Sequence, residues 1–522
     1  MKMDRRFLWR FLWAALMVLL AGCANTAAKR TATGLELDMT TGASEGLVVI
    51  RVVSLRPVST LNPKWQQIHL KSGERHAEIV DVTPPSNAFF QGRYFATESL
   101  YFAKLSAGEY EITGFGSLGP GPGLIPAVIA SDSAQASGLP SFSIKAGRLA
   151  NLGTLVFAPK LGDAEPAQMV LLRGPMGRKS ASDALLAESR PGQLEMPAGG
   201  GWSGHDAPEE ELKLLSRARM LASHLYLRVG SEGLAGGSNL GQVLWHSGAN
   251  QWKREFLDTL GAVFAVSRTT DGLTVAGSEY GTYFVKSNLG TWRPGRLPGE
   301  NGRVVYIEPL GAHGAMMIAS SAKGIRLWVH DSPGDPAVIP KEMAALNASP
   351  EFLLSSASEW IIPFNLPGMF REVEIKHVAK NSFTVTSQKQ DFWVRQWQLL
   401  HGGTIMMTRQ NGTSFYRSKS ADRGQSWVHE KNPSGASNYW MDERHAYSLE
   451  YETGFSTMTN KLQKTVDGGA SWTNLGAPLV TPSFAGTIVY ADNSEILVQV
   501  LGLVYSTLDE GKTWRRVFPP QP

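Results

Sequence analysis

Cys23 is the only cysteine in a chain of 522 residues. A lone sulfur directly behind an apolar run suits acylation, and it excludes a disulfide within the chain. Other reactive residue types occur without the spacing that reactions need. Gly511-Lys512-Thr513 has the form of the end of a phosphate loop, but Ser506 stands where the glycine five residues before Gly511 is required. Ser203, His205 and Asp206 are the residue types of a nucleophilic triad. They lie in a glycine-rich turn, not at a Gly-x-Ser-x-Gly elbow. The eleven histidines are scattered, with no His-Glu-x-x-His or other metal-ligand spacing. Asp442-Glu443-Arg444-His445 is the densest polar cluster of the C-terminal half and reads as a solvated charge run on a loop. No catalytic residue, metal or cofactor is therefore expected.

The elements around Cys23 give its chemistry a context. Lys2, Arg5, Arg6 and Arg10 form a basic stub, and Phe11 to Leu20 is an apolar run of ten residues. A bilayer core needs roughly 20 residues, so this run fits an export signal and not a stable span. It ends in Leu20-Ala21-Gly22-Cys23, which resembles the lipobox of bacterial lipoproteins. The resemblance implies cleavage before Cys23, lipid on its sulfur and attachment to a membrane through acyl chains. Ala24 follows the cysteine, where an aspartate commonly retains such proteins in the inner membrane. The cell envelope, and the outer membrane over the inner, is the expected location. An ordinary secretory signal with a chance cysteine is the alternative. Arg5-Arg6 also faintly resembles a twin-arginine signal.

The formal net charge is +4, but four of the 50 basic residues and one of the 46 acidic ones precede Cys23. The mature part then has 46 basic against 45 acidic residues, and no Lys/Arg cluster carries interleaved aromatics. Nucleic acid is not an expected partner. With 43% hydrophobic and 18% charged residues, the chain can bury sizeable cores. The 54 glycines and 29 prolines fit an all-β chain with many turns.

Residues 1–22 read as the signal peptide and 23–44, small and polar, as a flexible tether. Residues 45–160 alternate apolar and polar positions broken by Ala-Gly turns, as in Leu47–Val53, Tyr101–Leu105, Phe142–Gly147 and Leu152–Phe157. This pattern predicts a small antiparallel β-sandwich. The phrase Leu105-Ser106-Ala107-Gly108-Glu109-Tyr110-Glu111-Ile112 resembles the transthyretin-like sandwiches of secreted proteins. Gly119-Pro120-Gly121-Pro122-Gly123 and the Ser/Ala-rich stretch after it read as one long loop. Residues 161–222 read as a connector with one helix. Asp206 would be its N-cap, with Glu209 as capping-box partner, and Leu214, Leu215, Ala218, Leu221 and Ala222 its buried face.

Residues 223–522 contain three copies of (Ser/Thr)-x-Asp-x-Gly-x-(Ser/Thr)-Trp: Ser420 to Trp427, Thr465 to Trp472 and Thr507 to Trp514. The tryptophans are 45 and 42 residues apart, the period of four-stranded propeller blades. Weaker echoes end at Trp252 and Trp292. Seven blades fit the spacing best, around Trp252, Trp292, Trp328, residues 350–380, Trp427, Trp472 and Trp514. Eight and six are the neighbouring counts.

The three phrases resemble Asp-boxes, or BNR repeats, of sialidase-like propellers, sortilin-type receptors and photosystem-assembly-factor propellers. The resemblance implies tight loops between the third and fourth strands of a blade. In such a loop Asp422, Asp467 and Asp509 accept hydrogen bonds from nearby amides. Gly424, Gly469 and Gly511 supply a backbone conformation open mainly to glycine. Trp427, Trp472 and Trp514 fill the wedge between blades. It also raises the idea of a sialidase. The Ile-Pro pairs at Ile125-Pro126, Ile339-Pro340 and Ile362-Pro363 are not preceded by the arginine a sialidase needs. The expected function is a non-catalytic binding or assembly scaffold that meets an envelope protein partner through a propeller face. A glycan-binding or glycoside-hydrolase-like envelope protein is the alternative.

Overall fold

The computed structural model describes residues 40–55, 65–81, 98–120, 126–131, 138–158, 168–172, 202–203, 208–221 and, with short gaps, 225–518. It also describes two short strands, Ala28–Thr31 and Gly34–Leu37, which pair as an antiparallel hairpin within the expected tether. Cys23, the signal segment, Gly199 to Gly201, His205 and Asp206 lie outside the described residues. The chain divides into two compact units at 216/217, inside the helix Pro208–Leu221.

The first unit grows from Glu45–Ser54, a ten-residue run, half of it β-branched, buried on both faces except at its ends. It lies inside one nine-stranded sheet. Across that sheet the order is Gln168–Leu172, Leu149–Ala158, Glu45–Ser54, Glu98–Ser106, Arg75–Asp81, Gln67–Ser72, Gly108–Pro120, Pro126–Ser131, with Phe142–Ile144 paired to the start of Gly108–Pro120. All neighbours are antiparallel except Leu149–Ala158 against Glu45–Ser54, which run parallel. The unit is thus one curled sheet, where the sequence predicted two antiparallel sheets face to face. Register shifts at His69/Leu70, Asn151/Thr154 and Ser117/Leu118 are the bulges that bend it. A single core including Val48, Ile50, Ile68, Tyr101, Phe115 and Leu155 fills the concave side. Trp65 stacks on Phe115 at 4.5 Å there, and Trp202 donates from Nε1 to Leu152 O at 2.7 Å. Ala107-Gly108 is a corner and not a hairpin turn, because the strands on its two sides pair with different neighbours.

The long loop predicted after Ile112 is also corrected. Gly108–Pro120 runs through Gly119 and pairs with Pro126–Ser131, while residues 121–125 and 132–137 of that loop lie outside the described residues. At Gly116 a Cβ would stand 2.5 Å from His69 Nε2, so small residues there serve close strand packing.

The helix Pro208–Leu221 begins with Pro208 and three glutamates in its first turn, both favourable at a helix N-terminus. Its buried face is Glu211, Leu215, Ala218 and Arg219, whereas the predicted Leu214 is 38% exposed. Arg219 explains the shift. Its Nε donates to Leu240 O at 3.1 Å, in a blade-one turn where Leu240 has φ 57°.

The second unit is a seven-bladed β-propeller. Seven four-stranded sheets follow one another, each an antiparallel meander in sequence order: 225–256, 265–296, 303–346, 354–390, 393–431, 437–482 and 487–518. The first strands of successive blades pack against one another at six of the seven junctions, as an inner ring. Apolar clusters form at the seams. Val243, Val263 and Phe284 join blades one and two, and Leu354, Ile375 and Val394 join blades four and five. The ring closes without a shared strand. Leu234 and Leu244 of blade one meet Leu497, Val504 and Phe518 of blade seven in one cluster.

Candidate functional site

The three repeated phrases sit between the third and fourth strands of blades five, six and seven. Asp467 shows how such a loop is held. Its Oδ1 accepts from Thr465 Oγ1 at 2.8 Å and Ser471 N at 3.0 Å, and its Oδ2 from Ser471 Oγ at 2.6 Å. Thr465 Oγ1 in turn accepts from Gly469 N at 2.8 Å. Asp422 and Asp509 repeat this arrangement within 0.2 Å at each bond. Hydrogen bonds from Ser426, side chain and backbone, and from Ser420 hold the Asp422 carboxyl at about 2, against an ordinary 3.8. Asp467 and Asp509 are lowered by the same kind of donors. All three carboxylates are engaged inside their own loops.

The loops also grip the blade before them. Gly511, with φ 84°, lies against Gly476 in the outer strand of blade six, where Ala477 N donates to Gly511 O at 2.8 Å. A Cβ on Gly476 would stand 2.1 Å from the Gly511 carbonyl carbon, so only glycine admits this approach. Trp514 Nε1 donates to Ala477 O at 3.0 Å beside it. Within blade six Trp472 meets Trp440 edge-on at 6.3 Å, and within blade five Trp427 meets Trp397 at 5.8 Å.

Each of the seven seams carries a carboxylate facing a base from the neighbouring blade. In order they are Glu255–Lys286 at 2.7 Å, Asp271–His313 at 2.9 Å, Glu308–Lys380 at 2.6 Å, Glu359–Arg423 at 3.6 Å, Glu443–Lys419 at 2.5 Å, Glu510–Lys464 at 2.5 Å and Glu495–His246 at 2.7 Å. The last is the closing seam and the most buried, at 0% and 5% side-chain exposure. Ser506 Oγ donates to the second Glu495 oxygen at 2.5 Å, so that carboxylate is doubly engaged.

At the end of the propeller that carries the repeated loops, a cleft of about 680 Å³ opens where the inner strands of blades five, six and seven finish. Its lining includes Leu399, Leu400, Tyr439, Trp440, Met441, Ala491 and Val466, with Asp442, His445, Lys464 and Asp492 among them. Two glutamines keep its floor in place. Gln398 accepts from Trp440 N at 2.9 Å and donates to Trp440 O at 2.6 Å, and Gln396 makes the same pair of bonds with Asn438. Two carboxamides two residues apart thus act as a substitute strand for the edge of blade six's inner strand.

No protein-family model and no curated protein matches the sequence. Solved structures do resemble it. One is YCF48 bound to a D1 peptide, 12% identical, covering 54% of this chain and 93% of its own, with a TM-score of 0.39. A catalytically inactive virginiamycin B lyase from Staphylococcus aureus with quinupristin is 10% identical, covering 55% and 94%, with a TM-score of 0.37. BamB from Moraxella catarrhalis is 10% identical, covering 56% and 87%, with a TM-score of 0.32. The propeller assignment rests on the strand order given above.

The residues singled out in the sequence are distributed as follows. Asp442 to His445 form the turn between the first and second strands of blade six. Asp442 Oδ1 accepts from Arg444 N at 2.7 Å and His445 N at 2.8 Å; Asp442, Glu443 and Arg444 are exposed in this turn, and Asp442 and His445 also line the cleft. Ser203 pairs with Ser141, Oγ to Oγ 3.0 Å, in the first unit. Lys512 is exposed in its loop. Among the described residues no three His, Cys, Asp or Glu side chains are grouped to hold a metal ion, and no helix is long and apolar enough to cross a membrane. The cleft itself was not legible in the sequence, because its residues come from three blades. A second repeat was. Gly237-Ser238-Asn239-Leu240-Gly241 and Gly277-Ser278-Glu279-Tyr280-Gly281 stand 40 residues apart and make matching turns in blades one and two.

Proposed function

We propose that this protein is a non-catalytic binding or assembly protein of a bacterial cell envelope, which meets a protein partner through the looped end of its propeller. Lipid on Cys23 anchors it, to the outer membrane in preference to the inner. The observation that carries the reading is the cleft over blades five to seven. It has an aromatic and aliphatic floor and a charged rim, the anatomy of a protein-binding surface. Its volume also falls within the roughly 300–1,000 Å³ of binding pockets. The carboxylates at the rim speak against the glycan-hydrolase alternative. Asp442 and Asp492 are each occupied by turn amides, and the lining residues include no arginine.

The test is purification of the tagged full-length protein from its native envelope in gentle detergent, with identification and stoichiometry by mass spectrometry. A stoichiometric protein partner is the expected result. A clean monomer without a partner would overturn the reading and turn attention to envelope polysaccharides. For the anchor, Cys23→Ser should block normal processing and release the protein from the membrane fraction. Normal processing and membrane retention would refute it.

A further inference from the structure

We propose that the cleft across blades five, six and seven takes an extended segment of the partner that presents an apolar side chain next to a lysine or arginine. This deepens the partner-binding reading above and rests on it. Two features of the cleft converge on that ligand. The first is its floor: Leu400, Trp440 and Ala491 are buried at the ends of three inner strands, and Leu399, Tyr439 and Met441 line the cleft half-buried. Val466 extends the patch to the rim and is 53% exposed. An apolar side chain from a partner would cover Leu399, Tyr439, Met441 and Val466.

The second feature is charge. Three carboxylates belong to the cleft and its edge: Asp442 and Asp492 line it, and Glu510 holds Lys464 from behind at 2.5 Å. Each is kept ionised. Desolvation pushes Asp442 up, but the amides of Arg444 and His445 and the His445 ring outweigh it and hold it below its ordinary value. For Asp492 desolvation is likewise outweighed by the Tyr490 hydroxyl, Ser494 and the Glu495 amide. Glu510 is lowered chiefly by its bond to Lys464. Lys464 is the one ammonium among the lining residues, and Glu510 already neutralises it. Three carboxylates thus stand against one ammonium, with the His445 ring 2.8 Å from Asp442, so acidic groups predominate beside an apolar floor. A cation next to an apolar group complements that arrangement, whereas an acidic segment would be repelled. The carboxylates are fixed by their turns, so little side-chain entropy is lost when a cation approaches.

The test uses the full-length protein in detergent and four fluorescent peptides on one polyalanine–serine frame. Their central pairs are Trp-Lys, Trp-Glu, Ser-Lys and Ser-Glu, and affinities are read by fluorescence polarisation at low and moderate salt. The Trp-Lys peptide should bind tightest, at least about tenfold better than Trp-Glu, and its advantage should shrink as salt rises. Val466→Lys places a cation at the exposed rim and should weaken Trp-Lys binding by about tenfold. Leu508→Lys serves as the control. Leu508 occupies the same place in the blade-seven loop at 50% exposure but does not line the cleft, so binding should be unchanged. Tighter binding of Trp-Glu, or equal effects of both lysine variants, would overturn the inference. If the envelope partner still co-purifies with Val466→Lys protein, the cleft is wrong while the partner-binding reading stands. If no partner co-purifies with the wild-type protein, that reading itself fails.

Discussion

Blades five to seven and blades one to four solve the same packing problem by different means. In the later blades a fixed phrase makes a loop that is complete in itself, its aspartate bound to its own amides and hydroxyls. That loop then docks on the preceding blade, as Gly511 does on Gly476. In the earlier blades no such phrase is intact. The seams rest on apolar burial around residues such as Trp360, Ile318 and Phe364, together with the kind of carboxylate–base pair found at all seven seams. The propeller therefore depends on filling the wedges between blades, which many sequences can do. The repeated loops add local rigidity at one end of three neighbouring blades. That is also where the cleft lies.

The contrast can be broken from either side. The largest effect is expected in a blade without the phrase. Trp360 is fully buried in blade four, and Trp360→Ala should cost about 3–5 kcal/mol by denaturant unfolding. A cost below 1 kcal/mol would show that its seam is not filled as described. Next is Gly476→Ala, which forces a Cβ into the Gly511 backbone at a φ of 52°. It should cost about 2–3 kcal/mol and loosen blade seven first, seen as faster amide exchange there. Asp467→Ala removes a loop staple but no packing. It should lower the melting temperature by less than either change above, and an unaltered melting temperature would contradict the staple.

The smallest effect is in pH dependence. The Asp422 carboxyl is held at about 2 in the fold against an ordinary 3.8, so the unfolded chain binds the proton more readily. Its contribution is present above pH 3.8 and is lost as pH falls through 2. Asp422→Asn protein should accordingly show a flatter loss of stability with acid in that window. An identical slope in the two proteins would mean the carboxylate is not held as the loop geometry requires.

The same contrast explains what could be read in the sequence. Blades five to seven were legible because a self-contained loop needs particular residues at particular positions. An Asp must accept, a Gly must adopt positive φ, and a Ser or Thr must donate. Blades three and four were placed only by spacing, since Ile318, Leu327 and Trp360 satisfy a wedge that other apolar residues could fill equally well. Blades one and two were placed by tryptophan spacing alone, although their Gly-Ser-x-x-Gly turns also carried a signal. In the first unit, alternation found Glu45–Ser54 and Leu149–Ala158 but not that they run parallel, because pairing direction leaves no mark on a single strand. The hairpin Gln67–Ser72 with Arg75–Asp81, turning at Gly73 with φ 59°, went unread although its alternation is visible. The cleft was out of reach altogether. Leu399, Trp440 and Ala491 are ordinary strand residues until three blades bring their ends together.

The central claim is that a protein partner sits on the looped end of blades five to seven. A photo-crosslinking residue in place of Val466, expressed in the native envelope, tests it most directly. Met343, 41% exposed on the outer strand of blade three, is the matched control. One discrete protein adduct from position 466 and none from position 343 is the predicted result. No adduct at 466, or the same adduct from both positions, would contradict it.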